Sequence, residues 1–440
     1  MSNNLKKTMN FSQALSTVMG IVIGAGVFFK ISSVASSTQS ASLTVFVWVL
    51  AGLLSIASGL TVSELATALP VTGGPTKYIE YTYGKPAGFL FGWSQMAIYF
   101  PANIAALSII FGEQFASLFG ISQSLIVPIA LIVSTSIMLL NFVGNKVSGK
   151  LQSITMIAKL IPIVLIIGFG LFKPSPVNPS LFPITSGEGT PFFTALSGGL
   201  LATMFAYDGW INVGNMAGEM KNPKKDLPRA IILGLSLVTL IYVLINYAFV
   251  SALPVDQLAG NGNAAFDSSR LFFGEFGGRL VTLGILVSVY GTINGYTMTG
   301  IRVPYTLASN GSLPFSNAFK KLNKSGAPYI SGLFTLAITF IMIFLGSFNL
   351  LTDMLVFVIW SFTTLLSIGV IVLRKREPEL ERPYKVLFYP VIPAISILGG
   401  LFIVVSTLIT QFELSLIGIL VTLIGLPIYF YQKRKNEKSS

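Results

Sequence analysis

"GIVIGAGVFFK" (residues 20–30) lies inside an apolar run long enough to cross a bilayer, yet it holds Gly20, Gly24 and Gly26 within seven positions. Each glycine disfavours helix by about 1 kcal/mol relative to alanine. Two readings fit. Gly20 and Gly24 make a G-x-x-x-G spacing, a common device for packing helices closely in membranes. Alternatively, the helix unwinds here and frees backbone N–H and C=O groups for a ligand. Unpaired backbone in hydrocarbon costs several kcal/mol per group, so such a break survives only beside a polar cavity.

The rest of the chain has a membrane composition. Of 440 residues, 53% are hydrophobic and 10% charged, against about a quarter charged in soluble domains. Cysteine and histidine are both absent. That excludes disulfides and thiolate metal sites, and it removes the commonest metal ligand and the usual proton shuttle near neutral pH. No metal site or cofactor is expected, and no nucleophile–base constellation marks an enzyme. The net charge of +12 is spread over short loops rather than gathered in a patch, so it argues for membrane orientation and against nucleic acid.

Apolar windows predict twelve spans, near 11–37, 44–68, 87–118, 123–143, 151–172, 192–217, 228–252, 280–303, 329–347, 351–373, 387–410 and 413–431. The first is too long in its apolar part for a cleavable signal peptide. The N-terminus, the even-numbered loops and the C-terminal tail hold 23 of the 28 Lys and Arg, the odd-numbered loops three. This asymmetry predicts cytoplasmic N- and C-termini. The longest loops, about 173–191 and 253–279, are rich in Pro, Gly and Asn and are not expected to fold on their own.

A second interruption matches the first. Span six reads "LLATMFAYDGWINVGNMAGEMKNP" (200–223), with Asp208-Gly209 near its centre among Phe205, Tyr207 and Trp210. An aspartate at membrane depth normally faces the bundle interior or water. If the first ten spans form two units of five, the second unit runs opposite to the first, and spans one and six become equivalent. The predicted units are residues 1–173, 174–375 and, for spans eleven and twelve with the tail, 376–440. A half-helix starting at mid-membrane offers N–H groups to a carboxylate, and one ending there offers carbonyls to a cation. A small zwitterion such as an amino acid needs both.

Span five, "KLQSITMIAKLIPIVLIIGFGLFK" (150–173), buries a lysine. Lys159 lies roughly 13 Å in from Lys150 at helical rise. It either snorkels to the interface or ties broken-helix carbonyls to a neighbouring helix, as a bound Na⁺ does elsewhere. The second reading favours a carrier without sodium coupling, while a titrating lysine leaves proton coupling open.

These motifs also carry a resemblance. "GIVIGAGVFF" resembles the span-one signature of the amino acid–polyamine–organocation superfamily. "SELATALPVTGGPTKYIEYTYGKPAGFLFGW" (63–93), "FAYDGW…GEMKNPKKDLPRAI" (205–231) and "NGYTMTGIRVPYTLASNGSLP" (294–314) are similar to its span-two, span-six and span-eight motifs. The best subgroup is the L-type amino acid transporters, near the bacterial alanine–serine–cysteine exchangers. The resemblance implies an all-α, five-plus-five inverted repeat with two extra C-terminal helices and spans one and six unwound at mid-membrane. It implies sodium-independent exchange of small neutral amino acids across the plasma membrane.

Carried over by motif, Val22, Ile23, Gly24, Ala25 and Gly26, with Phe205, Ala206, Tyr207, Asp208 and Gly209, form the substrate site. Amides around Ala25 and Gly26 receive the carboxylate; carbonyls of Val22, Phe205 and Asp208 receive the ammonium; Phe205 is the gating aromatic. Lys159 is expected to reach the Gly20 carbonyl and a span-eight hydroxyl, Ser288. Three departures stand out. Gly218 precedes Glu219 where relatives often have a second acid. Asp208 occupies a position commonly glycine or apolar, so an inward side chain favours cationic substrates and keeps a proton-coupled or cationic carrier as the alternative. The loop "FGISQS" (119–124) lacks the cysteine through which mammalian relatives bond a heavy subunit, so no disulfide-linked partner is expected.

"GNKVSGKL" (144–151) is a near miss to a phosphate loop and reads as a basic turn. Glu64 and Glu113 lie near span ends, where interfacial exposure is expected. Spacing leaves open whether Tyr242, Tyr290 and Asn294 approach the cavity.

Overall fold

The computed structural model describes residues 9–69, 74–172, 177–211 and 220–437. The stretch 212–219, with the end of span six and the Gly218 departure, lies outside them. Among the described residues the regular structure is helical, apart from one isolated bridge between Met9 and Met220. The helices run α1 (Phe11–Val22), α2 (Gly26–Thr38), α3 (Ala41–Ala68), α4 (Gly74–Tyr83), α5 (Lys85–Ser94), α6 (Phe100–Phe119), α7 (Ile126–Val143), α8 (Asn145–Ala158), α9 (Leu160–Phe172) and α10 (Phe192–Ala206). They continue as α11 (Pro223–Ala252), α12 (Val255–Leu258), α13 (Ala264–Gly300), α14 (Arg302–Ser309), α15 (Ser316–Phe319), α16 (Tyr329–Leu345), α17 (Phe348–Arg376), α18 (Val391–Thr410), α19 (Phe412–Leu423) and α20 (Gly425–Glu437).

Nine segments among the described residues are long and apolar enough to cross a bilayer, and the bent pair α1–α2 makes a tenth. At two further predicted spans, six and nine, α10 and α16 are apolar but only 15 and 17 residues long, at or below the length a span needs. The chain is thus an all-helical, polytopic membrane protein.

Burial sorts the helices. The most apolar window of α5–α6 is 94% buried and that of α19–α20 only 17%, so the former is the axis of the bundle and the latter its rim. Large apolar side chains stand exposed on the periphery, including Ile132, Phe172, Leu345 and Ile409, a distribution that lipid tails would cover.

Two sequence expectations need correction. The stretch 253–279 is mostly helical: it holds α12 and the first turns of α13, with the irregular backbone between the two helices at residues 259–263. A kink at Gly274 (φ 73°) interrupts α13 there. Glu64 is not at the interface. It is 1% exposed and bound to Arg374 through Nε at 2.8 Å and Nη2 at 2.6 Å, with the Val386 amide at 2.8 Å and Arg382 at 3.5 Å. A buried carboxylate survives when charge partners and hydrogen bonds both meet it, and these lie more than 300 residues away in sequence.

Candidate functional site

Helix α1 opens on a capping box in which Asn10 and Gln13 bond each other's backbone amides at 3.0 and 2.9 Å, so its start is well anchored. It ends at Val22. Ile23 turns to φ −68°, ψ 98°, and α2 starts at Gly26 after a 45° bend. Helix α10 ends at Ala206, and Gly209 adopts φ 102°, a conformation that glycine reaches without a Cβ penalty.

The ends of these helices touch. A Cβ on Gly26 would lie 2.7 Å from the Cα of Ala206, and one on Gly209 would lie 2.5 Å from Ile21 Cγ2. At Gly24 the nearest contact would be an ordinary 3.4 Å, and at Gly20 the flexible end of Met156. Of the three glycines in the opening stretch, Gly26 is therefore the one the packing demands.

Three buried side chains organise the junction. Lys159 sits between α8 and α9, three residues before Pro162, which cannot donate to the preceding turn. Its ammonium donates to the carbonyls of Gly20 at 2.7 Å and Ile23 at 2.6 Å. The Gly20 contact is as expected; the Ser288 contact is not found. Ser288 Oγ is buried without a hydrogen-bond partner among the described residues, and the Ile23 carbonyl, swung out of α1 by the extended backbone, takes its place.

Tyr242 of α11, fully buried, places its hydroxyl 2.9 Å from the Val22 carbonyl and 3.0 Å from that of Ala206. It links the last carbonyls of α1 and α10. Asp208 accepts from Tyr99 at 2.6 Å and from Tyr296 at 3.3 Å, both on Oδ2. Tyr99 comes from a π turn, Gln95–Tyr99, between α5 and α6; such turns recur at functional sites.

A narrow hollow lies between these groups, lined by Ile21, Val22, Gly24, Ala25, Gly26, Leu107, Phe205, Ala206, Asp208, Thr292 and Tyr296. Its free space is ≈ 10 Å³, about what one water needs. Seven of the ten residues expected at the substrate site line it. Ile23, Tyr207 and Gly209 do not: the Tyr207 hydroxyl donates to the Trp48 carbonyl at 2.8 Å, and its ring packs 5.0 Å from that of Tyr242. The Phe205 carbonyl accepts from the Asp208 amide at 3.2 Å.

Sequence reasoning missed Ile21, Leu107, Thr292 and Tyr296. The last two are four residues apart on α13 and so share a helical face, but nothing in their spacing says which face turns inward. Tyr290 bonds Ser136, and Asn294 bonds Asn141, Gln152 and the Ser148 carbonyl, so both brace α7 and α8 against α13 rather than the hollow.

An apolar helical bundle with a broken helix, a paired helix end and a small polar hollow between them defines a membrane carrier. The amino acid permease family profile matches residues 9–427, and the chain belongs to that family, within the amino acid–polyamine–organocation superfamily. It is similar to the serine/threonine exchanger SteT of Bacillus subtilis (strain 168), 38% identical over 440 residues and covering 98% of both chains. It is also similar to the human cystine/glutamate transporter, 29% identical over 97% of this chain and 85% of that one. A third relative, the mouse b(0,+)-type amino acid transporter 1, is 28% identical over 98% and 88%. The protein is an amino acid transporter of the membrane, not an enzyme.

Proposed function

We propose that the chain is an alternating-access exchanger of small neutral L-amino acids such as serine and alanine, working without sodium in the cell membrane. The observation that carries this reading is the Lys159 ammonium held 2.7 and 2.6 Å from the Gly20 and Ile23 carbonyls. A fixed cation on those carbonyls does what a coupling ion would otherwise do. The similarity to a bacterial serine/threonine exchanger supports exchange.

In this reading twelve spans form two inverted units, 1–173 and 174–375, followed by 376–440, with both termini cytoplasmic. Spans one and six are the unwound pair. Amides at Ala25 and Gly26 take the substrate carboxylate, and carbonyls at the ends of α1 and α10 take its ammonium. The Val22 carbonyl, already held by Tyr242, serves through its second lone pair. The hollow has only ≈ 10 Å³ of free space, about one water, so loading requires it to widen. With no cysteine in the chain, a heavy subunit joined by a disulfide is not part of the reading.

Reconstituted in liposomes, the protein should take up labelled serine or alanine only when amino acid is preloaded inside, with or without Na⁺. Equal uptake into empty vesicles would reject obligatory exchange.

Asp208 supports a second reading, a proton-coupled or cationic amino acid carrier, because this acidic residue lines the hollow. Uptake driven by a pH gradient alone, or strong competition by arginine, would establish it.

A further inference from the structure

Lys30 is a second buried lysine that the account so far leaves unused. It sits one turn into α2 from Gly26, and its side chain is 0% exposed. Its ammonium lies 3.1 Å from Asp353 Oδ1 and 3.3 Å from Asn349 Oδ1, both on α17. It also stands over two rings, 5.2 Å from the centroid of Phe348 and 5.6 Å from that of Phe205. Those rings meet edge to face at 5.6 Å. The second carboxylate oxygen of Asp353 accepts from Gln411, in the turn between α18 and α19, at 3.3 Å.

These groups have an order. Phe205 lines the hollow, whereas Lys30 and Phe348 do not. Asp353 is 17% exposed and Asn349, one turn nearer the start of α17, is exposed. The contacts run from Phe205 at the hollow, through Lys30 and Phe348, to Asp353 and Asn349 near the start of α17. On α17, Asp353 is 21 residues from Arg374, about 30 Å at helical rise and so the full depth of the hydrocarbon. The layer therefore guards the face opposite the Arg374–Arg376 cluster.

Stability does not account for this lysine. Burying an ammonium costs several kcal/mol, and well-packed apolar replacements of buried ion pairs are often as stable or more so. The pair joins α2, the half-helix beyond the break, to the continuous helix α17. Tilting α2 about residues 23–25 must then stretch or part it. A cation over the faces of two rings also holds those rings in place.

We infer that Lys30 is a positioning residue of the transport cycle: bound to Asp353, its ammonium holds Phe205 and Phe348 across the hollow, and the hollow opens toward that face when the pair parts. The inference rests on the reading that the hollow carries the substrate.

The absence of native cysteine makes the test direct. Leu107→Cys, lining the hollow, serves as a reporter for a membrane-impermeant maleimide applied to either face of vesicles. Relative to the Leu107→Cys parent, Lys30→Met and Asp353→Asn should raise labelling from the Asp353 face at least about fivefold and lower it from the other; Asp353→Glu, which keeps the charge, should stay near the parent. The KM for exchange measured from the Asp353 face should shift together with kcat in the two charge-removing variants. Unchanged labelling from both faces in monodisperse Asp353→Asn protein would overturn the inference, even if Lys30→Met fails to fold. If labelling shifts as described while the wild type exchanges no amino acid, the latch stands and the substrate assignment falls. Faster labelling from the opposite face would overturn it as well.

Discussion

Gly26 and Ala206 meet backbone to backbone: a Cβ on the glycine would lie 2.7 Å from the alanine Cα. That distance is below any real Cβ contact, and the obstacle is main chain, which cannot step aside as a flexible side chain would. Gly26→Ala must therefore push α2 away from the end of α10. We expect exchange to fall at least about tenfold, equivalent to about 1.4 kcal/mol, well within the 1–3 kcal/mol that overpacking costs. Gly24→Ala, whose Cβ would make a 3.4 Å contact with Thr292, should keep most of its activity. Equal losses in the two variants would show that these glycines act through helix propensity rather than close approach.

Lys159→Ala removes the donor from two carbonyls that the break in α1 has freed. Each unmet buried acceptor costs about 1–3 kcal/mol, partly recovered by relief of the buried ammonium. The net effect on melting in detergent should be small. Exchange should fall much further, because the carbonyls around the break then lose the cation that fixes them and no longer present one geometry to the substrate ammonium. A variant with normal exchange would reduce the lysine to a packing residue.

Tyr242→Phe keeps the ring, with its contacts to Trp48 and Tyr207 at 5.6 and 5.0 Å, and removes the hydroxyl that spans Val22 and Ala206. One hydrogen bond is worth about 0.5–1.5 kcal/mol, so folding should hold. The ends of α1 and α10 lose their common tether, and we expect exchange to drop about three- to tenfold, a change read as RT ln of the rate ratio. Activity equal to wild type would mean that the two ends are held apart from this hydroxyl.

Glu64 predicts a stability effect instead. Glu64→Ala strands Arg374 and Arg382 near the end of α17. Breaking a buried pair costs 3–5 kcal/mol, and since the Arg374 side chain is 21% exposed we expect about 3 kcal/mol, seen as a lower melting temperature of the purified protein. A change below about 0.5 kcal/mol, the range of ordinary surface substitutions, would place this cluster in water.

What could be read from the chain follows from what is local. Glycine clusters, a mid-span aspartate and a lysine nine residues inside a span are visible because each violates a rule within its own helix. The helical bundle, the break after Val22 and the burial of Lys159 are legible on that basis, while Gly20 as its partner follows from the resemblance. Partners drawn from distant helices are not legible. The resemblance implies Ser288 as the second partner of Lys159, whereas the Ile23 carbonyl that takes this place is swung out of its helix only once the backbone has bent. Glu64 looked interfacial because its arginines follow it by more than 300 residues. Tyr242, Thr292 and Tyr296 depend on the rotation of α11 and α13 about their axes, which apolar periodicity cannot fix when most faces are apolar.

Asp208 separates the two functional readings. Its Oδ2 accepts from Tyr99 at 2.6 Å and Tyr296 at 3.3 Å, so the carboxylate is already solvated by hydroxyls rather than left to seek a cationic guest. If the exchanged solute is neutral, Asp208→Asn should preserve serine exchange within about threefold, since the amide oxygen still accepts from one tyrosine and a neutral hydrogen bond differs from a charged one by about 1 kcal/mol. Arginine should compete weakly before and after the change. If the solute is cationic, arginine should compete strongly in the wild type and lose that strength in the variant, because an unpaired guanidinium beside a neutral amide is not compensated in a narrow, buried site. Competition by a panel of neutral, cationic and anionic amino acids, measured on both proteins in the same vesicles, distinguishes the cases.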